Sequence, residues 1–508
     1  MRIKTNTAFN GVVILTIALI MVKILSAIYR VPYQNVLGDA GLYAYQQVYP
    51  LVALGVILSM NAIPSAVTQT LGNDRQHGVY TKVYLRLQWC SVALFLIVCL
   101  GAQWIAQLMG DSNLAPMLCA ASISFLFIAV LGVLRGYYQS QQQMNIPAIS
   151  QVLEQVIRVA IIMVAIVLYS KYNWSIYASG ALAITGSALG FLVSSLYLVQ
   201  QKPFKFQQTT QTIAWRQLSL AIIVFAVSHL IVILWQIIDS FTMIHALQLQ
   251  GLSFNNAITL KGIFDRGASF IQMGLIVTTT FCFVLIPLLT DAKKQGQSIL
   301  MNRYANVSLK ITMVISTAAS IGLINLLPVM NRVFFENDSQ TATLIVYMLT
   351  VICVSLIMME MSLLQVVNNE KIVFIGCAVG MITKGILNII LIPQIGLLGG
   401  SCATVLSLVV TVLILQRQVL KHYHIRNLKI FSVKLTIAMV VMSCVVQLCL
   451  WLIPSTGRLS GLIELLIAAV VGVVTLISAI IWMKILKYRE LKHLPFGDKI
   501  YHIKRGRH

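Results

Sequence analysis

The chain has 508 residues, of which 58% are hydrophobic and only 10% charged, whereas water-soluble domains carry about 25% charged residues. That composition excludes a soluble enzyme or a soluble binding module as the body of the molecule. The net charge of +22 would suggest nucleic acid for a soluble protein. Here membrane topology and anionic lipid headgroups account for it, and no nucleic-acid partner is expected.

Runs of about 20 apolar residues, each long enough to cross a hydrocarbon core, recur along the chain. They lie near residues 9–30, 42–66, 84–108, 115–135, 147–169, 175–199, 217–238, 262–289, 307–329, 342–367, 372–393, 396–416, 432–453 and 460–486. The predicted fold class is therefore an all-α polytopic membrane protein of fourteen transmembrane helices. The first run carries Lys23 in its middle and ends at Arg30-Val31-Pro32 without a small-residue cleavage site, so it is read as a retained helix. With both termini in the cytoplasm, most of the 36 basic residues fall on the inner side, among them Arg75, Lys82, Lys202, Lys205, Lys293, Lys294, Arg417, Lys421, Arg426 and the tail from Lys484 to Arg507. That is the asymmetry expected of cytoplasmic loops.

Three landmarks recur at nearly one offset. Ile63-Pro64 returns as Ile286-Pro287, Arg158 as Lys384, and Ala178-Ser179-Gly180-Ala181 as Gly399-Gly400-Ser401-Cys402. Six spans separate the copies, so the two halves share an orientation. The expected organisation is an N-terminal six-helix bundle over residues 1–200, a C-terminal six-helix bundle over 201–421, and two further helices with a basic tail over 422–508. Gly186 and Gly190, four residues apart, would let helices within a bundle approach closely.

A charge at mid-membrane costs about 2.5–3.5 kcal/mol on insertion scales, so each needs a partner, a cavity or a function. Lys23 and Arg30 share a face of the first helix, and Arg266 lies in the eighth span beside Asp265 and Lys261. Lys23, Arg30 and Arg266 would clamp an anionic headgroup, the arginines through paired hydrogen bonds and Lys23 as a point charge. The competing reading has Arg30 and Arg266 snorkelling to lipid headgroups while Asp265 neutralises a neighbour. Glu154 and Arg158 stand four apart on the fifth helix and read either as a structural ion pair or as a proton- or ion-coupling site. Lys384 has Gly380 where Arg158 has Glu154, so its partner must come from another helix or from a lipid phosphate. Glu360 and Asp239 are further coupling candidates.

All nine cysteines lie inside apolar spans without a C-x-x-C pair, and neither disulfides nor a metal site is expected. No P-loop or H-E-x-x-H motif occurs, so no catalytic residues are assigned and no cofactor is expected. Energy must then come from a coupling ion, H+ or Na+, from the membrane potential, or from substrate flux.

The stretch from Arg135-Gly-Tyr-Tyr-Gln139 through Met144, Pro147, Ser150-Gln151 and Glu154-Gln155 to Arg158 resembles the MurJ/SpoVB-like branch of the multidrug/oligosaccharidyl-lipid/polysaccharide exporter superfamily. Ile238-Asp239-Ser240, Phe264-Asp265-Arg266-Gly267 and Ile286-Pro287 are similar to it as well. The resemblance implies a V-shaped pair of six-helix bundles and a cationic central cavity. It also implies a transporter, not an enzyme, that flips undecaprenyl-diphosphate-linked sugars or lipid II across the bacterial cytoplasmic membrane. Lys23, Arg30 and Arg266 match the branch's basic residues on the first and eighth helices. Lys23 stands where lipid II flippases often have Arg, and the second span has no basic residue where some flippases carry one. The implied partners are an undecaprenyl-linked glycan lipid and membrane lipids, with the chain acting as a monomer. Competing functions are a cation-coupled multidrug antiporter of the same superfamily, a non-transporting envelope-assembly scaffold, and a membrane-embedded glycosyltransferase. The charge asymmetry predicts that green fluorescent protein fused after residue 204 or 508 will fluoresce, and that alkaline phosphatase there will be inactive. The reverse pattern would overturn the orientation.

Overall fold

The computed structural model describes residues 21–22, 25–26, 29–72, 77–201, 207–282, 286–425, 428–454 and 457–486. Among these residues the regular structure is helical throughout. Twelve helical segments are long and apolar enough to cross a membrane, and they coincide with twelve of the apolar runs above. The run at 9–30 falls almost wholly outside the described residues. The run at 262–289 begins in a helix, Phe254–Cys282, whose first half carries Lys261, Asp265 and Arg266.

The chain forms two compact units, Met1–Arg266 and Gly267–His508. The first unit contains α1 (Arg30–Ile57), a π-helical turn (Leu58–Ala62), α2 (Ile63–Leu71), α3 (His77–Leu100), α4 (Ala102–Leu108), α5 (Ala115–Ile123), α6 (Ile128–Ser140), α7 (Asn145–Tyr172), α8 (Ile176–Gln200), α9 (Trp215–Leu249) and the start of α10 (Phe254–Cys282). The second holds the rest of α10, then α11 (Ile286–Lys294), α12 (Ser298–Phe335), α13 (Thr341–Met348), α14 (Thr350–Val366), α15 (Glu370–Ile395), α16 (Leu397–His422), α17 (Leu428–Leu452) and α18 (Arg458–Trp482).

The repeated landmarks occupy matching places in the two units. Each Ile-Pro pair opens a short helix of nine residues, α2 and α11, because proline suits the first turn, where its missing N–H would be unsatisfied anyway. Each small-residue run opens the second helix of a close pair, α7 with α8 and α15 with α16. A Cβ at Gly190 would lie 2.5 Å from the Glu154 carbonyl oxygen, and one at Gly399 would lie 2.5 Å from the Leu391 carbonyl oxygen. Glycine thus sets how near these backbones come.

In the second unit α17 and α18 pack on α12 through Val314, Phe431, Met439, Met442 and Ala468. Polar tethers join the same elements: Asn325 Oδ1 accepts from Ser443 Oγ at 2.8 Å and from Gln447 Nε2 at 2.9 Å, and Arg458 Nε donates to the Val333 carbonyl at 3.2 Å. The opposite face of α18 exposes Leu459, Leu466, Val470, Val474 and Trp482, a surface suited to lipid rather than water.

The helix α1 contains one break, at Gly38, whose φ of +73° is a left-handed value that glycine adopts without steric cost. Asp39 follows immediately, and α10 crosses it closely: a Cβ at Gly262 would stand 2.0 Å from the Asp39 carbonyl oxygen. Backbone atoms cannot swing aside as side-chain ends do. Gly262→Ala is therefore expected to destabilise the protein by about 1–3 kcal/mol. Gly385→Ala, where a Cβ meets nothing within 4 Å, should leave the melting temperature unchanged or raised, and a thermal melt of the purified chain compares the two.

Candidate functional site

The first unit buries two ionic networks. In the first, Glu154 on α7 receives two arginines: Arg135 Nη2 from α6 at 2.9 Å on Oε2, and Arg158 Nη2 from the next turn of α7 at 3.0 Å on Oε1. Arg135 also donates from Nε to Ser150 Oγ at 3.0 Å and from Nη1 to the Ser59 carbonyl in the π turn at 3.3 Å. Arg158 Nη1 donates to Gln155 Oε1 at 2.9 Å. All three charged residues are at most 3% exposed. The π turn matters here, since its wider hydrogen-bond spacing leaves a carbonyl to face a neighbouring side chain. The network joins α6, α7 and the middle of the second span.

The second network is built on α1 and α10. Arg30 is buried, its guanidinium 5.2 Å from the centre of the Tyr49 ring and 6.0 Å from that of Tyr29, within the range of cation–π attraction. Tyr29 and Tyr45 share a hydroxyl–hydroxyl hydrogen bond of 3.1 Å, and the rings of Tyr45 and Tyr49 stack at 5.9 Å. Arg266 presents its planar fork to Asp39, with Nε donating to Oδ1 at 2.7 Å and Nη2 to Oδ2. Gln34 Nε2 adds a third donor to Asp39 Oδ1 at 3.0 Å. One helical turn before Arg266, Lys261 Nζ donates to Asp265 Oδ1 at 2.5 Å, while Asp265 Oδ2 has no hydrogen-bond partner among the described residues. Asp239 on α9 and Arg30 both lie within electrostatic range of Asp265. Two carboxylates and two cations thus share one neighbourhood beside the Arg266–Asp39 pair.

Asp239 is held there by the α1–α9 contact: Gln47 Nε2 donates to the Ser240 carbonyl at 2.6 Å, and Ser240 Oγ donates back to the Gln47 carbonyl at 3.3 Å. Reciprocal side-chain-to-backbone bonds of this kind fix the register of two helices where no water competes.

Of the residues singled out from sequence, Arg30, Asp239, Asp265 and Arg266 are gathered in the second network, with Glu154 and Arg158 in the first. Glu360 and Lys384 lie in the other unit. Lys384 Nζ, on α15, donates to Thr404 Oγ1 on α16. Glu360, on α14, is 1% exposed, and its Oε2 has no hydrogen-bond partner among the described residues. Lys23 lies outside the described residues. Sequence reasoning missed Asp39 as the partner of Arg266. Its only sequence signal is that it is the first acidic residue of the chain and follows a glycine. Arg135 stood in the quoted motif, but nothing in its spacing pairs it with Glu154. Among the described residues no three His, Cys, Asp or Glu side chains gather as metal ligands.

Comparison with known proteins then decides the family. Residues 8–293 match the model of the family described as "Polysaccharide biosynthesis protein". This chain belongs to that family. It is 31% identical to the uncharacterized membrane protein YabM of Bacillus subtilis (strain 168), over 99% of this chain and 98% of that one. From the same organism, the lipid II flippase MurJ is 23% identical over 92% of this chain and 94% of its own length. Stage V sporulation protein B of that organism is 29% identical over 40% of each. A solved structure of a lipid II flippase MurJ in an inward closed conformation has the same fold, with a TM-score of 0.69, 18% identity, and 93% of this chain and 99% of that chain covered. The protein is a multi-pass membrane transporter of the MurJ/SpoVB-like branch rather than an enzyme.

Glu154 is the shared counter-charge of two buried arginines. Glu154→Gln would leave two buried guanidinium groups without a counter-charge, and breaking a buried pair in this way costs about 3–5 kcal/mol. The expected result is a sharp fall in folded protein and in melting temperature, read by fluorescence-detected size exclusion after heating. An unchanged melting profile would mean that the network does not hold the unit together.

Proposed function

We propose that the chain is a flippase that carries an undecaprenyl-diphosphate-linked cell-envelope precursor, lipid II or a polysaccharide repeat unit, from the inner to the outer leaflet by alternating access. The observation that most supports this reading is the forked pairing of Arg266 with Asp39 beside Arg30 and Lys261. A carboxylate and a phosphate present the same paired oxygens to a guanidinium. A diphosphate headgroup can therefore take the place of Asp39 on Arg266; Gln34 keeps one hydrogen bond to the released carboxylate, whose charge would then be met by a proton or a cation.

In this scheme Arg266 and Arg30 are the headgroup-binding residues and Lys23 is a further point charge along the first helix. The rings of Tyr29 and Tyr49 lie within cation–π range of the Arg30 guanidinium and steady it beside the Arg266–Asp39 pair. The Asp239, Asp265 and Lys261 cluster is where a proton or Na+ would exchange, since one proton more or less there changes the balance that holds Lys261 and Arg30 in place. Glu360 is a second coupling position and Lys384 a fixed cation, both in the other unit. The membrane potential would act on the same charges. Glu154 and Arg158, taken up with Arg135, serve the fold.

Adding the runs at 9–30 and 262–289 to the twelve candidate spans gives fourteen helices: six in each half, 1–200 and 201–421, with two more and a basic tail over 422–508. Both termini are then cytoplasmic, in a monomer of the bacterial cytoplasmic membrane.

The decisive experiment depletes the chain and measures lipid II and other undecaprenyl-linked precursors exposed on the outer leaflet, with expression restored by wild type or by variants matched in membrane abundance. Arg266→Lys keeps the charge and loses the fork. Losing one charge-assisted hydrogen bond is worth about 1.5–3 kcal/mol, roughly a ten- to hundred-fold fall in headgroup affinity. Arg266→Ala combined with Asp39→Ala should retain the fold, having no charge left unpaired, and should not restore exposure. Full rescue by the double variant would remove the headgroup role of the pair, and loss of a different surface glycan would move the cargo to a polysaccharide unit.

A further inference from the structure

Between α3 and α5 the chain breaks at Gly101, runs through the short helix α4, and turns at Gly110, where φ is +85°. Three other helices attach to this segment. Tyr43 of α1 and Tyr177 of α8 both donate to Asp111 Oδ2, at 3.3 and 2.7 Å. His245 of α9 bonds the Leu108 carbonyl at 3.1 Å. Asp111 Oδ1 in turn caps the next turn by accepting from the Asn113 backbone N–H at 3.0 Å. The segment is a hub of the first unit, and a cysteine stands at each end of it.

Cys99 is the penultimate residue of α3 and Cys119 lies in the middle of α5. Their sulfurs are 3.6 Å apart, and the Cys119 thiol is also 3.4 Å from the Cys99 carbonyl oxygen. Both side chains are partly exposed and both are free thiols. A disulfide bond is about 2.05 Å long, so the sulfurs need to approach by about 1.5 Å to form one.

We propose that Cys99 and Cys119 are a redox-responsive pair, oxidised to a disulfide that staples the two ends of the 99–119 hub. The oxidant is itself a disulfide, either a small-molecule one or that of a thiol–disulfide oxidoreductase. One cysteine, as the thiolate, attacks a sulfur of the oxidant and displaces one thiolate from it, giving a mixed disulfide. The second cysteine, already in contact, attacks the protein sulfur of that mixed disulfide and expels the remaining half. Two protein thiols lose two protons and two electrons, and the oxidant leaves as two thiols. The bridge closes a loop that contains the Gly101 break and the Asp111 turn, so it limits the freedom of the segment that the unfolded chain would otherwise gain.

The test uses the full-length protein in lipid nanodiscs, exposed to oxidised glutathione, blocked with N-ethylmaleimide, digested and analysed by mass spectrometry. The expected product is a peptide pair joined through Cys99 and Cys119 with the loss of two hydrogens. A melting temperature above that of the reduced protein, returned to the starting value by dithiothreitol, should accompany it. Cys99→Ser and Cys119→Ser should each abolish both the link and the shift. A variant that keeps only these two of the nine cysteines should retain both. Recovery of the two residues as maleimide adducts, or as separate glutathione adducts without the internal bond, overturns the proposal, and so does a link that forms without any thermal shift.

Discussion

A charge inside an apolar bilayer must find its counter-charge within the chain, and this requirement organises the first unit. Glu154 meets it for two arginines at once. Because Arg135 comes from α6 and reaches on to the Ser59 carbonyl, the ion pair also holds the π turn of the second span against α7. Close helix packing follows from the same place: Gly190 brings α8 onto the Glu154 backbone itself. The charges, the irregular turn and the small residues are one device, and a change to any of them is felt by the others.

The second network obeys the same requirement with a different outcome. Arg266 and Asp39 form a bidentate pair whose geometry a diphosphate can reproduce. Lys261, Asp265 and Asp239 stand beside it with one carboxylate oxygen left over. In the first network both carboxylate oxygens of Glu154 are taken by arginines, which suits a fixed scaffold. The second has spare acceptor capacity at Asp265 Oδ2, which sets it apart from the first.

Much of the architecture is legible in the sequence because a bilayer admits few solutions. Spans must be about 20 apolar residues long, so twelve of them could be located by composition alone and were found as helices. The Ile-Pro landmarks at Ile63 and Ile286 mark the start of corresponding short helices, since proline at a first turn has one structural meaning. What periodicity does not reveal is pairing between helices. The sequence offered Arg158 to Glu154 by its spacing of four, but Arg135 reaches the same carboxylate from another helix. Asp39 carries no spacing relation to Arg266, and the two meet only because Gly262 lets α10 lie against the α1 backbone. Cys99 and Cys119, twenty residues apart without a recognisable motif, are free thiols in keeping with the expectation of no disulfide, but only the packing of α3 and α5 shows that their sulfurs are in contact.

By itself the sequence determined that the chain lives in a membrane, roughly where twelve of its spanning helices lie, and which side chains must be exceptional because burying them costs so much. Those properties depend on residues near one another along the chain, or on composition, and a helix needs nothing else to satisfy its backbone in lipid. Only the tertiary structure decided which exceptional charge faces which. That Glu154 is consumed by two arginines while Arg266 pairs with Asp39 is set by how separate helices pack, and close packing is governed by shape rather than by order in the sequence.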